Sequence, residues 1–300
     1  MIITRLSGGL GNQMFQYAMG RALSLRNNTD LCIDTSSYAS LLSGEAPRHF
    51  TLQHFNIAAP SATPFDYAHL GLPGIRDRCW LARTRRKLFR MRESFIPLQR
   101  RRFIVEPHYA FVPDAYAAGP DCLLSGIWQS PYYFDDAKEA IRRDFTLKDP
   151  FSPEASRILA DVRSQASVSL HVRRGDYVSH AKTNDKHGAC SPDYYHRAIE
   201  FVRSREPAAR FFVFSDDIAW ARENLPMPNG TTFVSRPGLP DYEELMLMSS
   251  CRHHILANSS FSWWAAWLNE NPEKIVIAPE KWFAGNTDTK DLIPTSWTRL

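Results

Sequence analysis

The second half of the chain alternates short apolar segments with helical ones, and this alternation constrains the fold more than any other feature. Runs rich in β-branched and aromatic residues predict strands at 168–173, 210–217, 231–235, 253–258 and 274–279. Helical segments are predicted between them, near 192–205, toward Asn224, and at 240–251 and 259–270. Strands separated by helices favour a parallel, doubly wound sheet with right-handed crossovers.

The first half opens with a strand, a turn, a helix and a second strand. The strand IITRL precedes the glycine-rich turn SGGLGNQ, a helix at 14–28 and the strand LCIDT. The pattern is irregular over 36–119; a strand then returns at CLLSGIW, followed by a helical stretch at 132–144. Prolines in KDPFSPEAS, residues 148–156, mark either a linker or a helix start. We therefore predict an α/β protein with two Rossmann-like domains, residues 1–150 and 151–300.

Composition narrows the class of protein. The formal net charge of +4 is too small to indicate a nucleic-acid partner. The five cysteines are odd in number and lack a C-x-x-C pair, which argues against a disulfide framework and a zinc site and fits a reducing compartment. The N-terminus has too short an apolar run for a signal peptide, and no 18-residue apolar stretch occurs. We expect a soluble, cytoplasmic protein.

Positive charge is concentrated in one segment, residues 76–102. It holds eleven Arg or Lys residues against Asp77 and Glu93, a net charge of +9. We predict a helical insertion here and leave two interpretations open: a solvated helix, or a patch that docks on anionic lipid or an acidic partner. Apolar residues that fall roughly on one face of this helix suit either interpretation: Trp80, Leu81, Leu88, Met91 and Phe95.

Doubly wound sheets bind ligands at the carboxyl ends of their strands, and four polar motifs lie at such ends: HVRRGDY, FSDD, ANSSFS and SGGLGNQ. In the first, Arg173 and Arg174 end an apolar strand beside Gly175 and Asp176. Charged side chains are rarely buried alone, so these arginines either pair with carboxylates of the protein or bind an anionic ligand. Asp176 is placed to orient an arginine, and Gly175 permits a close backbone turn.

The other motifs each carry two interpretations. Ser259 and Ser260 are placed to cap a helix, whose N-terminus also attracts anions. Asp216 and Asp217 suit a divalent cation or, as we favour, helix capping and ribose contact. Asn12 and Gln13 are either ligand contacts or parts of a tight turn. Helix packing is the favoured role of three tryptophans: Trp263, Trp264 and Trp267.

Taken together, the residues predict that the second domain binds a nucleoside diphosphate and that the protein catalyses group transfer. No Walker A motif, nucleophile elbow or metal-spaced histidine cluster occurs in the sequence.

Four motifs in order, GGLGNQMFQYA, HVRRGDY, FSDD and NSSFSWWAAWL, resemble those of bacterial α-1,2-fucosyltransferases, which share the arginine motif with α-1,6- and protein O-fucosyltransferases. The resemblance implies a GT-B-like fold, two Rossmann-like domains with parallel sheets facing a cleft. It also implies GDP-fucose as donor substrate, inversion at the sugar carbon and no required metal. The first domain would mainly bind the acceptor, and the second would bind GDP-fucose.

The same resemblance implies roles for single residues. Arg173 would grip the pyrophosphate, Arg174 would shape the site, and Glu244 would contact guanine, with Asp241 as the alternative acid. The remaining donor-binding residues implied or placed by these motifs are Asn12, Gln13, His171, Ser215, Asp216, Ser259, Ser260 and Phe261.

The general base is less well defined. The α-1,6 enzymes carry a glutamate five residues after the motif aspartate, where this chain has Ala181. Asp176 is the nearest alternative, with His187 behind it.

We therefore expect transfer of fucose from GDP-fucose to the 2-hydroxyl of a terminal β-galactoside in a surface polysaccharide or O-antigen. A peripheral location on the inner face of the membrane, through the basic segment, is a further expectation. One alternative is a metal-dependent nucleotide-sugar transferase that uses Asp216 and Asp217. Another, of a different class, is a non-catalytic glycan-binding or adhesion protein that presents the tripeptide RGD at 174–176.

Overall fold

The computed structural model describes residues 1–39, 48–72, 80–175, 188–285 and 287–300, with the backbone alone at 80–83. The chain divides into two compact units, Met1–Lys148 with Lys290–Leu292, and Asp149–Thr289 with Ile293–Leu300. The short segment Lys290–Leu292 is bound to the rest of the first unit through Asp291. Its carboxylate accepts the backbone N–H of Phe111 at 3.0 Å, and its carbonyl accepts the Ser130 hydroxyl at 2.8 Å.

The first unit is built on a four-stranded parallel sheet of order β2-β1-β4-β3. Its strands are β1 (Ile2–Arg5), β2 (Leu31–Asp34), β3 (Phe103–Val105) and β4 (Cys122–Ser125). Its helices are α1 (Leu10–Arg26), α2 (Pro64–His69), α3 (Trp80–Ser94), α4 (Pro113–Tyr116) and α5 (Lys138–Asp144).

Two features of this unit correct the sequence-based expectations. The stretch 36–119 was expected to be irregular, yet it supplies β3, a strand too short for its alternation to be recognised. Helix α1 begins at Leu10, with Gly9 at its N-cap, so Asn12 and Gln13 lie in the first helical turn and not in a loop. The helix packs closely on the sheet, because a Cβ on Gly20 would come within 2.9 Å of Thr4.

The second unit is built on a six-stranded parallel sheet of order β10-β9-β8-β5-β6-β7. Its strands are β5 (Ser167–Val172), β6 (Arg210–Ser215), β7 (Thr232–Phe233), β8 (His253–Ile255), β9 (Val276–Ala278) and β10 (Thr298–Arg299). Its helices are α6 (Pro153–Arg163), α7 (Pro192–Arg205), α8 (Ile218–Asn224), α9 (Asp241–Ser249) and α10 (Ser260–Leu268). The predicted parallel, doubly wound sheet is confirmed; β10 was missed because two polar residues carry no strand pattern.

The proline-rich stretch 148–156 is both the junction between the units and a helix start. Ser152 caps α6 by accepting the N–H of Ala155 at 3.2 Å, and Pro153 occupies the first helical position. The buried Glu243 of α9 then holds this cap, because its carboxylate accepts both the N–H and the hydroxyl of Ser152, at 2.6 and 2.8 Å.

The tryptophans of α10 belong to the interior of the second unit. Trp263 and Trp264 are fully buried, and Trp267 is 8% exposed. The rings of Trp263 and Trp264 meet edge to face at 5.1 Å, a favourable geometry for aromatic side chains. The interpretation of these residues as helix packing is confirmed. Across the described residues, no helix combines the length and hydropathy that a membrane crossing requires.

Candidate active site

The polar motifs of the second unit converge at the carboxyl edge of its sheet. Strand β5 lies between β8 and β6, so the segments that follow these three strands are neighbours: 173–175, 216–217 and 256–259. The start of α10 reaches the end of β5 directly, since the rings of His171 and Phe261 lie 5.6 Å apart. Parallel strands place ligand sites at this edge.

Arg173 and Asp216 form the centre of the cluster. Nη1 of Arg173 lies 3.1 Å from Oδ2 of Asp216, and the two side chains are 24% and 25% exposed. The other oxygen of Asp216 accepts the backbone N–H of Arg174 at 2.8 Å. The protein therefore supplies a carboxylate partner for Arg173, and the exposed part of the guanidinium is still accessible to an anionic ligand.

Arg174 is held from two sides. Its guanidinium carbon lies 3.9 Å from the ring centroid of Trp220, a cation–π contact, and its Nε lies 3.7 Å from Oδ2 of Asp217. Asp217 also caps α8, because its side chain accepts the N–H of Trp220 at 3.1 Å. The capping role favoured for Asp217 is therefore confirmed. Ser215 completes this turn by accepting the N–H of Asp217 at 2.9 Å.

Gly175 has no room for a side chain. A Cβ at this position would lie 2.9 Å from Oδ2 of Asp216, the oxygen that pairs with Arg173. The glycine therefore lets the arginine loop pass against the carboxylate that orders it.

His171 lies beneath the cluster as a neutral ring. Burial, with a smaller effect from the nearby charge of Arg173, lowers its pKa to about 3. Its Nδ1 is buried and has no hydrogen-bond partner among the described residues. The imidazole therefore adds no positive charge beside Arg173 at neutral pH.

Two adjacent acids of α9 have different functions. Glu243 is 3% exposed and holds the Ser152 cap, whereas Glu244 is half-buried and hydrogen-bonds Ser235, the residue two positions after β7. Burial, together with the negative charges of Asp241 and Asp216, raises the pKa of Glu244 to about 7, although its hydrogen bond with Ser235 acts in the opposite direction. Asp241, the alternative acid, is exposed at the start of α9.

Ser235 was missed by sequence reasoning. Its hydroxyl accepts the N–H of Ser215 at 2.9 Å, so it links the ends of β6 and β7 as well as holding Glu244. Its position as the last residue of the predicted strand TTFVS was the signal that could have found it.

The start of α10 is fixed by its cap and by the residue before it. Ser259 is 9% exposed and accepts the N–H of Phe261 at 3.3 Å, as expected of an N-cap. Asn258 donates from Nδ2 to the carbonyls of Gly188 and Trp282, at 2.8 and 3.2 Å. Ser260, with intermediate exposure, is the first residue of the helix. The N-terminus of α10 is therefore rigidly placed beside β5, where its N–H groups favour an anion.

In the first unit, the neighbouring side chains of Asn12 and Gln13 make different contacts. Gln13 is fully buried; its amide donates to the carbonyl of His49 at 2.8 Å, and its oxygen accepts the N–H of Thr51 at 2.9 Å. The polar atoms of Gln13 therefore hold the segment 49–52, and its contact with a ligand stays a prediction. Asn12 is half-buried, and its Oδ1 accepts Nε2 of Gln129 at 3.0 Å.

A second arrangement that the sequence did not indicate follows β4. Glu106 accepts the N–H groups of Ile127 and Trp128, at 2.6 and 2.9 Å, and burial raises the pKa of its carboxyl. Trp128 has a φ of 62°, which a tryptophan rarely adopts, and the contact with Glu106 holds it there. Gln129 follows, with a buried Oε1 that has no hydrogen-bond partner among the described residues.

Asp176 and His187, the residues predicted to act as base, lie outside the described residues, so their role stays a prediction. Within the part of the chain that the structure describes, no group of three His, Cys, Asp or Glu side chains is arranged to hold a metal ion.

Comparison with known proteins identifies the family to which this chain belongs. The family model described as glycosyl transferase family 11 matches residues 95–300, more than half of the chain. An alpha-1,2-colitosyltransferase of Escherichia coli is 33% identical over all of this chain and 99% of its own. The O-antigen biosynthesis glycosyltransferase WbnK of Escherichia coli is 32% identical over 98% of this chain and 99% of its own.

Solved structures show the same fold at lower identity. An Arabidopsis thaliana FUT1 mutant in complex with GDP aligns with a TM-score of 0.53 and 12% identity, over 98% of this chain and 74% of that one. POFUT1 in complex with GDP aligns with a TM-score of 0.52 and 12% identity, over 92% and 97%. The predicted GT-B-like α/β fold is confirmed. With the family match and two relatives that span the whole chain, this protein belongs to glycosyl transferase family 11.

Proposed function

We propose that this protein transfers fucose from GDP-fucose to the 2-hydroxyl of a terminal β-galactoside, with inversion to an α-1,2 linkage, during assembly of a surface polysaccharide such as an O-antigen. The observation that carries the proposal is Arg173 at the end of β5, ordered by Asp216 and still partly exposed, in the sheet edge that the start of α10 also reaches. The names of the Escherichia coli relatives support the linkage and the polymer. The neighbours solved with GDP support the nucleotide.

In this proposal, Arg173 and the N-terminus of α10 bind the diphosphate. As the bond from the sugar to the β-phosphate breaks, negative charge grows on the leaving GDP, and donors already aimed at it stabilise the transition state. A preorganised donor of this kind contributes about 3–4 kcal/mol. Trp220 and Asp217 keep Arg174 in place, so the cluster needs little reorganisation. These cations take the role of a metal, and the reaction is proposed to need none.

Glu244 is proposed to recognise the base. Guanine presents an N1–H and an amino group on one edge, and an ionised carboxylate accepts both. Glu244 is half-buried and lies close enough to Asp216 for the two charges to interact, which places it at the same sheet edge as Arg173. Asp241, which is exposed, is the alternative.

Inversion requires a base that accepts the proton of the acceptor hydroxyl in a single displacement. We assign that role to Asp176, with His187 as the second choice. Asp176→Asn is expected to abolish turnover and to retain GDP binding. Turnover by this variant within tenfold of wild type would exclude Asp176 as the base.

The first unit is proposed to bind the galactoside. Its carboxyl edge presents Gln129, next to a backbone that Glu106 holds in an uncommon conformation; Asn12, which accepts the amide of Gln129, remains assigned to the donor. A buried amide oxygen without a partner among the described residues, that of Gln129, is a natural acceptor for a sugar hydroxyl.

A GDP-colitose donor is the second candidate, because the colitosyltransferase aligns over the entire chain at 33% identity. Colitose lacks the 3-hydroxyl of fucose. A site that hydrogen-bonds this hydroxyl with buried groups would reject colitose by about 10⁴-fold, whereas a site without such groups would separate the two donors by less than about 10²-fold. Comparing kcat/KM for the two GDP-sugars decides which sugar is native.

The donor site is tested by calorimetric titration with GDP in excess EDTA. Arg173→Ala should weaken GDP binding by about 10²-fold, because it removes a charged donor from the diphosphate. Arg157→Ala, a change at an exposed arginine of α6, is the matched control and should bind as wild type does. Equal affinity of Arg173→Ala and wild type would reject the assignment. Binding that appears only after addition of Mg²⁺ or Mn²⁺ would favour the metal-dependent alternative, and absence of GDP binding under both conditions would favour the glycan-binding or adhesion alternative.

A further inference from the structure

Helix α3 has one face packed against the first unit. Phe89 packs on a core cluster that includes Tyr67, Leu70 and Leu123. Glu93 is 6% exposed and accepts the backbone N–H groups of Arg102 and Phe103, at 2.6 and 3.2 Å. These contacts fix the orientation of the helix, so its outer face is defined.

The outer face carries an apolar stripe. Leu88, Met91 and Phe95 are 56%, 56% and 84% exposed. Leu88 and Met91 are three residues apart on one face of α3. Phe95 extends the stripe from the residue directly after the helix, which ends at Ser94, and its backbone N–H bonds to the carbonyl of Arg92 at 3.2 Å. Single exposed apolar residues are common in monomeric proteins, but three on one stripe indicate a surface that contacts another apolar phase.

Basic side chains flank the stripe on both sides. Helical periodicity places Arg85 and Arg92 along one side and Lys87 along the other. Arg90 lies farther from the stripe, with its guanidinium carbon 5.2 Å from the ring centroid of Phe103, and all four basic residues are exposed. None of the ion pairs between described residues involves them. The helix's acid, Glu93, is turned inward, so every charged side chain exposed along the described part of α3 is positive.

From this surface we infer that α3 is a membrane-docking helix that lies in the plane of an anionic lipid bilayer. Leu88, Met91 and Phe95 enter the boundary between headgroups and acyl chains, and the flanking cations contact lipid phosphates. A second copy of this chain would bring like charges together across the stripe, which charge complementarity disfavours. A lipid surface satisfies both the apolar and the cationic parts. This inference is independent of the proposed reaction.

The test is cosedimentation of the full-length protein with vesicles of phosphatidylcholine alone or with added phosphatidylglycerol. Wild type should bind only the anionic vesicles, and high salt should weaken this binding. Each neutralised basic residue should lower the partition coefficient about fivefold at low ionic strength, since each contributes about 1 kcal/mol near such a surface. Two variants are compared with wild type: Leu88→Ser with Met91→Ser and Phe95→Ser, and a quadruple change to Gln at Arg85, Lys87, Arg90 and Arg92.

Matched controls distinguish binding through α3 from nonspecific binding of the protein to lipid. Leu25→Ser changes an exposed leucine of α1, and a second quadruple change to Gln alters exposed arginines of the other unit, Arg157, Arg163, Arg197 and Arg203. Both controls should bind anionic vesicles within twofold to threefold of wild type. Equal loss in the two quadruple variants, or full binding by the stripe variant, would overturn the inference. Failure of the wild-type protein to bind either kind of vesicle would also overturn it. The same holds if light scattering shows a dimer that the stripe variant loses, with no binding to lipid. Thermal unfolding midpoints verify that every variant is folded.

Discussion

The ionisation of Glu244 should make GDP binding depend on pH. Its pKa of about 7 in the free protein means that the carboxyl is about 10% ionised at pH 6 and about 90% at pH 8. Only the ionised form accepts hydrogen bonds from both guanine donors, so the apparent affinity is reduced by the fraction that is ionised. We therefore expect GDP affinity to rise about tenfold from pH 6 to pH 8.

The variant Glu244→Gln isolates this effect. Loss of a charge-assisted contact costs about 1.5–3 kcal/mol, so at pH 8 the variant should bind GDP about 10- to 150-fold more weakly than wild type. At pH 6, where the wild-type carboxyl is mostly protonated, the difference should shrink by about tenfold. The phosphate also titrates near pH 6, and the slope that remains in the variant measures that contribution.

The assay is calorimetric titration of both proteins with GDP at several pH values and constant ionic strength. Asp241→Asn is the matched control, because it removes an exposed acid from the same helix. It should lower the pKa of Glu244 slightly and leave the affinity at pH 8 unchanged. Parallel pH profiles for wild type and Glu244→Gln would refute the reasoning, and loss of affinity in Asp241→Asn alone would transfer the role to Asp241.

Three further substitutions test other contacts. Gly175→Ala would place a Cβ 2.9 Å from Oδ2 of Asp216, so we expect kcat/KM to fall at least tenfold in initial-rate assays; an unchanged value would show that the loop tolerates the methyl group. Glu243→Ala leaves the cap at Ser152 without its carboxylate and should reduce the free energy of unfolding by about 1–3 kcal/mol in urea titrations, whereas no change would mean that water replaces it. Glu106→Gln keeps one acceptor oxygen for two backbone N–H groups; it should raise the KM for the galactoside and leave GDP affinity unchanged, and an effect on GDP alone would contradict the assignment of the units.

The contact between Arg173 and Asp216 could be anticipated from sequence because it follows from strand order. Each residue comes directly after an apolar strand, and parallel neighbours bring such positions together at one edge of the sheet. The caps formed by Ser152, Asp217 and Ser259 were equally predictable from sequence, since capping depends on residues within one turn of helix.

The difference between Glu243 and Glu244 depends on a distant part of the chain. Both lie in the first turn of the same helix, and local pattern does not say which carboxylate faces the site. The partner that binds Glu243 is Ser152, 91 residues earlier. Glu244 is left at the sheet edge because its neighbour is committed to that cap.

Gln13 illustrates the same limit. Beside Asn12 in a glycine-rich stretch it resembled a ligand contact, but its amide is used by the backbone of residues 49–52. The conformation of Trp128 could not be predicted either, because the residue that holds its positive φ, Glu106, follows a different strand.

The central claim is that the protein forms an α-1,2 linkage from a GDP-sugar through a cationic, metal-independent site. The most direct measurement is incubation with GDP-fucose and lactose in excess EDTA, with the product linkage determined by NMR. We predict release of GDP and a fucose joined by an α-linkage to the 2-hydroxyl of galactose. A different linkage or anomer, or turnover that requires a divalent cation, would contradict the account.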